Sequence, residues 1–494
     1  MSNSLAPALA YETIVGLEIH VQLATKSKLF CGCATRYGQP PNSQTCPICQ
    51  GLPGTLPVIN QHAIELAMDV GLALDMELVS GCRWDRKHYF YPDLPKGYQT
   101  SQYDLPITRH GRLEFRDPAD SEKTCVVRIN RAHLEEDAGK SLHGEGIDGG
   151  TWIDLNRTGT PLLEVVTEPD LRSAQEAKAF LIQLRTILLY LGVSDCNMQE
   201  GSMRVDANVN LRIKNETETI ATPIVEIKNL NSFRNAERAI EYERERQLKH
   251  WRETGERMGQ RPKQTRGWDA DREVTTVQRE KEEAADYRYF PCPDLPPVVL
   301  SQTSIDQRRA QLPRLPQQWK SEFTRTWKLS EYDASVIVEQ GRDVAEYFET
   351  VAQISQDGKR SANWITQEIL RLLNERQQSI SDFPIAAAKL GELVSAVSNS
   401  ELDHARAREI FALWLTEPIS LREAKERLGI ATVSGNEVEE LVNRIVAENQ
   451  AAIDDYRHGK KQALGPLIAQ AKQLNSNVSP AKFREALLRA IDST

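Results

Sequence analysis

Five things are missing from this chain of 494 residues, and each removes a class of function. No run of about 18 apolar residues occurs, so no spanning helix is expected. The opening residues lack the basic and apolar pattern of a secretory signal. The expectation is a cytoplasmic protein with no membrane partner, an organelle being left open. Positive charge is not in excess: 61 Lys and Arg face 70 Asp and Glu, a net charge of −9. A polyanion would therefore have to be met by local patches. There is no glycine-rich GxxxxGK[ST] loop, which leaves metal ions and strand-borne cations to hold any phosphate. No Ser or Cys nucleophile constellation appears, which argues against covalent nucleophilic chemistry.

What is present begins with sulfur. Cys31 and Cys33 are followed, after a gap of twelve residues, by Cys46 and Cys49 in TCPICQG, a spacing that can close a tetrahedral zinc site. A disulfide pair is the alternative, weaker in a reducing compartment. Four thiolates leave zinc no open position, so such a site is structural. Cys82, Cys125, Cys196 and Cys292 are scattered and read as small buried apolar residues.

The densest chemistry lies in RINRAHLEEDAGKSLH, Arg128 to His143, where His133, Glu135, Glu136, Asp137 and Lys140 crowd together. Carboxylates this close repel one another unless a cation sits among them, and hard oxygen ligands suit magnesium. A polar loop with a chance cluster is the plain alternative. Three alternating stretches share the theme. In VGLEIHVQL, Val15 to Leu23, apolar residues alternate with Glu18 and His20, the period of a half-buried strand. Met203 to Ile213 puts Arg204, Asp206, Asn208, Asn210 and Arg212 on its polar face. Pro223 to Lys228 turns Val225 and Ile227 inward and Glu226 with Lys228 outward. A sheet with one wet face explains alternation without any function, but repeated carboxylates at alternate positions are unusual for one.

The rest of the chain reads as framework. Its length calls for two or three domains. Asn60 to Met76 has helical spacing at Ile64, Met68, Gly71 and Leu72. Trp84 to Asp104, WDRKHYFYPDLPKGYQTSQYD, mixes aromatics, prolines and Lys87 and reads as an ordered loop. Ser173 and Glu176 form a capping box ahead of a stripe running from Ala177 to Leu191, which Gly192 ends. Asn235 to Glu256 is a charged helix, and Gln260 to Glu283 a polar stretch expected to be mobile. Beyond about residue 300 helical segments take over: Asp333 to Val351, Trp364 to Glu375, Ile385 to Val397 and Glu437 to Asn449. From Ala451 onward seven Lys or Arg outnumber four Asp or Glu, a weak basic patch that includes Lys460 and Lys461. The last helix is capped by Ser479 with Pro480 at its first position. The expected class is α+β, with a sheet domain over 1–300, a helical domain over 301–412 and a small helical tail over 413–494.

Seven motifs spread along the chain, VGLEIHVQL, FYPDLPKGYQTSQYD, RAHLEEDAGKS, DLNRTGTPLLEVVTEPD, GSMRVDANVNLR, EIKNLNSF and DYRYFP, resemble the family of B subunits of the aspartyl/glutamyl-tRNA(Asn/Gln) amidotransferases. The resemblance implies a cradle-shaped catalytic domain, with a large mixed or antiparallel sheet related to that of glutamine synthetase, then a helical domain and a tRNA-associated tail. It implies ATP-dependent phosphorylation of the side-chain carboxylate of Glu-tRNA(Gln) or Asp-tRNA(Asn), then displacement of phosphate by ammonia. ATP, Mg2+ and structural Zn2+ are the implied cofactors. The implied partners are misacylated tRNA and, in a heterotrimer, a glutaminase A subunit that supplies the ammonia and a small C subunit. Glu18, His20, Glu136 and Glu226 match the family's magnesium-site motifs, with Glu135 and Asp206 as neighbours. Lys87, Lys140 and Lys228 are candidates for phosphate contacts, and Lys460 and Lys461 for tRNA.

Some positions depart from the family's pattern. Cys292 stands where an acid follows DYRYFP, leaving Asp294 for any acidic role, and Pro466 and Ala469 replace an aromatic and a glycine in the tail. Two other readings use the same residues: a metal-dependent phosphoester hydrolase, and a non-catalytic zinc-stabilised RNA-binding scaffold.

Overall fold

The alternation in VGLEIHVQL is that of a real strand. Val15, Leu17, Ile19 and Val21 are buried, whereas Glu18, His20 and Gln22 on the other face are half-buried. The computed structural model describes residues 10–120, 122–144, 149–214, 218–280, 287–430, 435–458, 460–475 and 477–492, with backbone alone at 279, 280, 461, 481 and 492. The chain divides into two compact units, Met1–Leu315 and Pro316–Thr494.

The strands of the first unit are β1 (Ala10–Gln22), β2 (Glu77–Leu78), β3 (Gly81–Cys82), β4 (Asp85–His88), β5 (Tyr98–Ser101), β6 (Thr108–Arg116), β7 (Thr124–Glu136) and β8 (Lys140–His143). They continue as β9 (Thr151–Asp154), β10 (Pro161–Thr167), β11 (Met203–Lys214), β12 (Thr219–Ala221), β13 (Val225–Lys228), β14 (Gln264–Asp269), β15 (Val274–Glu280), β16 (Phe290–Pro291) and β17 (Val298–Val299). Ten of them form one mixed sheet in the order β15-β14-β13-β11-β1-β10-β7-β6-β2, with β12 added to β11; only the β13–β14 pair in it is parallel. Its apolar face shares one core with helices α1 (Gln61–Ala73), α2 (Ala174–Leu191) and α3 (Phe233–Thr254). Each large aliphatic side chain buried there stabilises the fold by about 1.5–3 kcal/mol. Burying one face this thoroughly fixes the register, and hence which side chains line the other face.

Two expectations about this unit are corrected. The aromatic stretch Trp84–Asp104 is not a loop throughout. Its ends are β4 and β5, which join β16 in a three-stranded sheet, and Pro92 and Pro95 are confined to the connection between them. The polar stretch 260–283 supplies β14 and β15 at the sheet's edge. Its polar side chains have partners there: Arg266 and Thr275 bond each other, and Thr275 bonds Glu243 of α3. The expected capping box at α2 is half made. The Ser173 side chain accepts from Glu176 N, but the Glu176 carboxylate reaches one residue further back, to Arg172 N. Gly192 ends the helix in the left-handed region at φ 66°. Cys82, Cys196 and Cys292 are buried as expected, and Cys125 is half-buried.

The second unit is helical, with more breaks than its periodicity suggests. Asp333–Val351 is two helices, Glu331–Val338 and Arg342–Ser355, parted at Gly341, whose φ of 114° few other residues adopt. The segment around Trp364 runs from an α-helix, Gly358–Trp364, through a π-turn, Ile365–Ile369, into Leu370–Arg376. A full capping box, not foreseen, opens Leu421–Arg427 with Ser420 and Glu423. The last helix begins at Pro480. Pro466 and Ala469 are exposed on the helix Leu464–Leu474, whose Leu464, Leu467 and Ala471 join Val442, Phe483 and Leu487 in the tail's apolar cluster. Neither departure therefore disturbs that packing. Among the described residues no helix is long and apolar enough to cross a membrane.

Ser173→Ala should destabilise the first unit by about 1 kcal/mol, the usual worth of a helix cap. Urea unfolding of the full chain, followed at its first transition, measures it; no shift in midpoint would mean that the α2 N-terminus is held by other contacts.

Candidate active site

The half-buried face of the large sheet carries two clusters of ligand-type side chains. In the first, His20 of β1, Glu164 of β10 and His133 of β7 stand in one row across three strands, and Glu135 lies two residues along β7. His20 Nε2 is 3.5 Å from both Glu135 and Glu164, and His133 Nε2 is 3.4 Å from Glu164. In the second, Glu18 of β1 stands directly opposite Asp206 of β11, and Glu226 of β13 lies beyond it, opposite Asn208. One ligand atom from each of His20, Glu135 and Glu164, and likewise from each of Glu18, Asp206 and Glu226, lies within 4.8 Å of the others in its set.

Both clusters have the chemistry of cation sites. Carboxylates facing each other on neighbouring strands repel. In the second cluster Lys228 offsets part of this, pairing with Asp206 and lying 3.4 Å from Glu226. Asn208 Nδ2 donates to Glu18 at 2.8 Å, yet Asn208 Oδ1 is buried without a hydrogen-bond partner. A lone carbonyl-type oxygen among three carboxylates is the environment a hard cation satisfies. In the first cluster burial, and then the Glu164 charge, push the Glu135 carboxyl up. Burial also works against a charged His20, but the Glu164 hydrogen bond and charge, with Glu135, outweigh it and raise that imidazole to about 9. His133, buried and next to Arg131, falls to about 4 in spite of Glu164. Acids and imidazoles that shift one another this far form a site short of positive charge, and a metal ion would supply it.

Not every residue singled out in the sequence joins these clusters. Glu18, His20, Glu135, Asp206, Glu226 and Lys228 do. Glu136 was expected to converge with Glu18, His20 and Glu226 on one ion, but it belongs to neither cluster. Neighbours on a strand point to opposite faces, so Glu135 takes the acidic face. Glu136 instead pairs with Lys96 and accepts from Thr100 N at 2.8 Å. Lys87 sits 4.9 Å from the Tyr287 ring and near enough to the first cluster to act on the charges of Glu135 and Glu164. Lys140 is exposed on the β8–β9 hairpin, opposite Asp154, and among the described residues it bonds neither cluster. Lys460 is exposed and bonds Asp455 at 2.9 Å; the Lys461 side chain lies outside the described residues.

Glu164 is the main residue that the sequence pattern concealed. It is a lone acid inside the apolar run PLLEVVT, and that isolation was the available signal. Arg204, opposite His20, was noted only as polar; it bonds Asp137 at 3.0 Å and holds that carboxylate ionised. The aromatic motifs also meet: Tyr287 packs on Tyr89, and Tyr289 stacks on Tyr103 at 4.1 Å. Burial raises the Tyr89 and Tyr289 hydroxyls, and the Glu135 charge adds to it, which puts this wall beside the first cluster.

The four cysteines converge as their spacing suggested. All are free thiols with sulfurs mutually within 4.8 Å. Lys28 tests the fit. It is 1% exposed, and its ammonium donates to the Gln44 and Leu155 carbonyls and lies 3.6 Å from Cys49 Sγ. A buried cation facing carbonyls and a thiol needs an anion; zinc held by four thiolates carries two net negative charges. A cavity lined by Cys31, Cys49, Lys28, Lys96, Glu136 and Cys292 lies beside this cluster. Asp294, left in place where Cys292 replaces an acid, pairs with Arg86.

In metal-free protein His20 should titrate near 9. Glu164→Gln removes the hydrogen bond and the larger of the two charges that hold it there, leaving burial opposed by Glu135, so its pKa should fall below 9. Imidazole NMR in a chelating buffer reads this; an unmoved His20 would mean that Glu164 is not its partner.

Comparison with known proteins bears on the same residues. Residues 13–306 match the model of the GatB/GatE catalytic domain, and residues 346–491 that of the GatB domain. The chain is 52% identical over 481 residues to the B subunit of the aspartyl/glutamyl-tRNA(Asn/Gln) amidotransferase of Rhodopirellula baltica, covering 97% of this chain and 96% of that one. It is 41% identical to the protein of the same name from Caldicellulosiruptor saccharolyticus, covering 97% and 99%, and 43% identical to that of Gloeothece citriformis, covering 97% of each. Both cation clusters and all four cysteines fall within the matched catalytic domain, and the chain belongs to the family of aspartyl/glutamyl-tRNA(Asn/Gln) amidotransferase B subunits.

Proposed function

We propose that this protein is the part of a tRNA-dependent amidotransferase that converts Glu-tRNA(Gln), Asp-tRNA(Asn) or both to the amide, in the cytoplasm. The observation that carries the reading is the pair of acidic clusters on one half-buried sheet face, together with membership of the family. Phosphoryl transfer asks little covalent work of a protein and much charge positioning. Magnesium, when bound, would supply the positive charge that neutralises phosphate charge as it develops. Glu18, Asp206, Glu226 and the orphan oxygen of Asn208 are the residues to hold one ion, and His20, Glu135 and Glu164 the other. Side chains two residues apart on β1 start about 7 Å apart, a span that a polyphosphate can bridge.

In this reading the substrate carboxylate attacks the γ-phosphorus of ATP, and ADP leaves. Ammonia then attacks the acyl phosphate, loses a proton and expels phosphate. Lys228 and Lys87 stand where they can meet phosphate oxygens; Lys140 lacks that support. A glutaminase A subunit and a small C subunit would complete the heterotrimer and supply ammonia, in keeping with the absence of a nucleophile constellation here. The tail, with Lys460 and Lys461, would touch tRNA. We also take the acidic sheet to be related to the glutamine synthetase cradle, a likeness supported by its carboxylate-rich half-buried face.

The test is ATP-dependent amidation of misacylated tRNA with an ammonium salt as nitrogen source. Glu18→Gln and Asp206→Asn should each lower the rate on the order of a hundredfold or more while the fold persists. The double variant should be little worse than either, because groups that hold one ion act as a unit. ATP hydrolysis with no amide formed, or near-normal amidation by either single variant, would sink the proposal.

The four thiols are proposed to bind one zinc per chain. Metal analysis should find it, and Cys46→Ser should lose it along with stability of the first unit. Lys28→Met should weaken zinc retention against a chelator about tenfold, as loss of an outer-shell partner does. Retention equal to that of the unaltered protein would show that Lys28 does not compensate the thiolate charge.

A further inference from the structure

The opposite face of the sheet holds a second polar cavity, of about 220 Å3, between the C-terminal half of α3 and strands β13 and β14. Val225 lines it, whereas the adjacent Glu226 serves the acidic face, so β13 separates the two sites. The cavity collects three guanidiniums, Arg246, Arg261 and Arg266, with His250, and among the described residues two carboxylates, Glu243 and Glu256, answer them. Glu243, fully buried at 0% exposure, accepts from Arg246 at 2.6 and 2.9 Å and also from Gln247 and Thr275. Glu256 takes Arg261 Nε at 2.6 Å and His250 Nε2 at 2.9 Å. Among the described residues Arg266 has no carboxylate of its own: it bonds Thr275 and Gln264, and Glu243 is 3.8 Å away. Burial, and next the Arg246 charge, lower its basicity. Trp251 Nε1 also lies buried on this wall, without a hydrogen-bond partner among the described residues.

Two guanidiniums sharing one carboxylate leave positive charge in a partly buried place, which is costly unless an anion answers it. We propose that this cavity binds a phosphate-bearing ligand, at a site distinct from the metal clusters. Donors approach from α3, from the segment after it and from β14, and a tetrahedral oxyanion has oxygens to accept from several sides. The volume is below the range usual for drug-sized ligands, so it suits a single phosphate group. That group is either a free phosphomonoester or a backbone phosphate of RNA.

The test uses the full chain at fixed ionic strength. Inorganic phosphate and glycerol phosphate are titrated calorimetrically against a chloride control, and tRNA binding is measured in parallel. Arg261→Gln removes a guanidinium that is largely solvent-exposed, and Trp251→Phe removes the indole N–H while keeping an aromatic ring; each should weaken the phosphate ligand about tenfold. If both variants lose inorganic phosphate and keep tRNA affinity, the natural ligand is a small phosphate. If both lose tRNA affinity, it is an RNA backbone phosphate. Phosphate no better bound than chloride, or both variants binding phosphate and tRNA as the parent does, overturns the proposal. None of these readouts passes through the amidation reaction, so their failure and the failure of the proposed function are separate results.

Discussion

Carboxylates set directly across from one another on neighbouring strands are the constraint around which the first unit is built. Glu18 faces Asp206, and Glu164 stands between His20 and His133. In an ordinary sheet such pairs cost stability. Here they are fixed because the far side of the same strands, Val15, Leu17, Ile19, Val205 and Ala207, is buried against helices, and a register slip would carry all of those side chains into water. The core therefore supplies the stability that holds mutually repelling groups in place. Lys228 and the protonated His20 offset part of the repulsion, and the remaining deficit is the basis for expecting cations.

Strands with unbroken alternation were legible in the sequence. β1, β11 and β13 announced both themselves and their acidic faces. β7 did not, for a physical reason. Its register against β10 slips between Val166 and Thr167, leaving Asn130 without an opposite number. Before the slip Val127 and Ile129 face the core; after it Ala132 and Leu134 do. A bulge of this kind breaks the period of two, so RINRAHLEE reads as a polar loop. The same bulge turns His133 and Glu135 to the acidic face; without the change of phase, Glu136 would have been there instead.

The position of Glu136, apart from both clusters, shares that cause. Once RAHLEE is known to be a strand, adjacent glutamates cannot serve one ion from one face. A motif match carries residues over by position in the chain and says nothing about the side of a sheet they occupy. Glu164 was hidden in the opposite way. A single acid in an apolar run looks like a defect of the core pattern, and only the row His20, Glu164, His133 across three strands gives it a role. The polar hairpin of β14 and β15 was missed because edge strands need not be apolar when helix side chains such as Glu243 can satisfy them.

Glu135 and Glu136, at the end of β7, tie the two sides of the sheet together. Glu135 lies in the His20–Glu164 cluster, and Glu136 closes on Lys96 in the cavity beside the cysteine cluster. Gln99 donates to the Glu136 carbonyl at 2.9 Å and Thr100 to its carboxylate, so β5 grips the strand end through backbone and side chain alike. Gly139 lies just beyond, where a Cβ would come within about 3 Å of the Asp154 and Asp93 carbonyls. A larger residue there would have to push the strand end aside and would move both glutamates at once. The EEDAG segment thus constrains both faces together: neither the cation ligand nor the lysine partner can shift without the other.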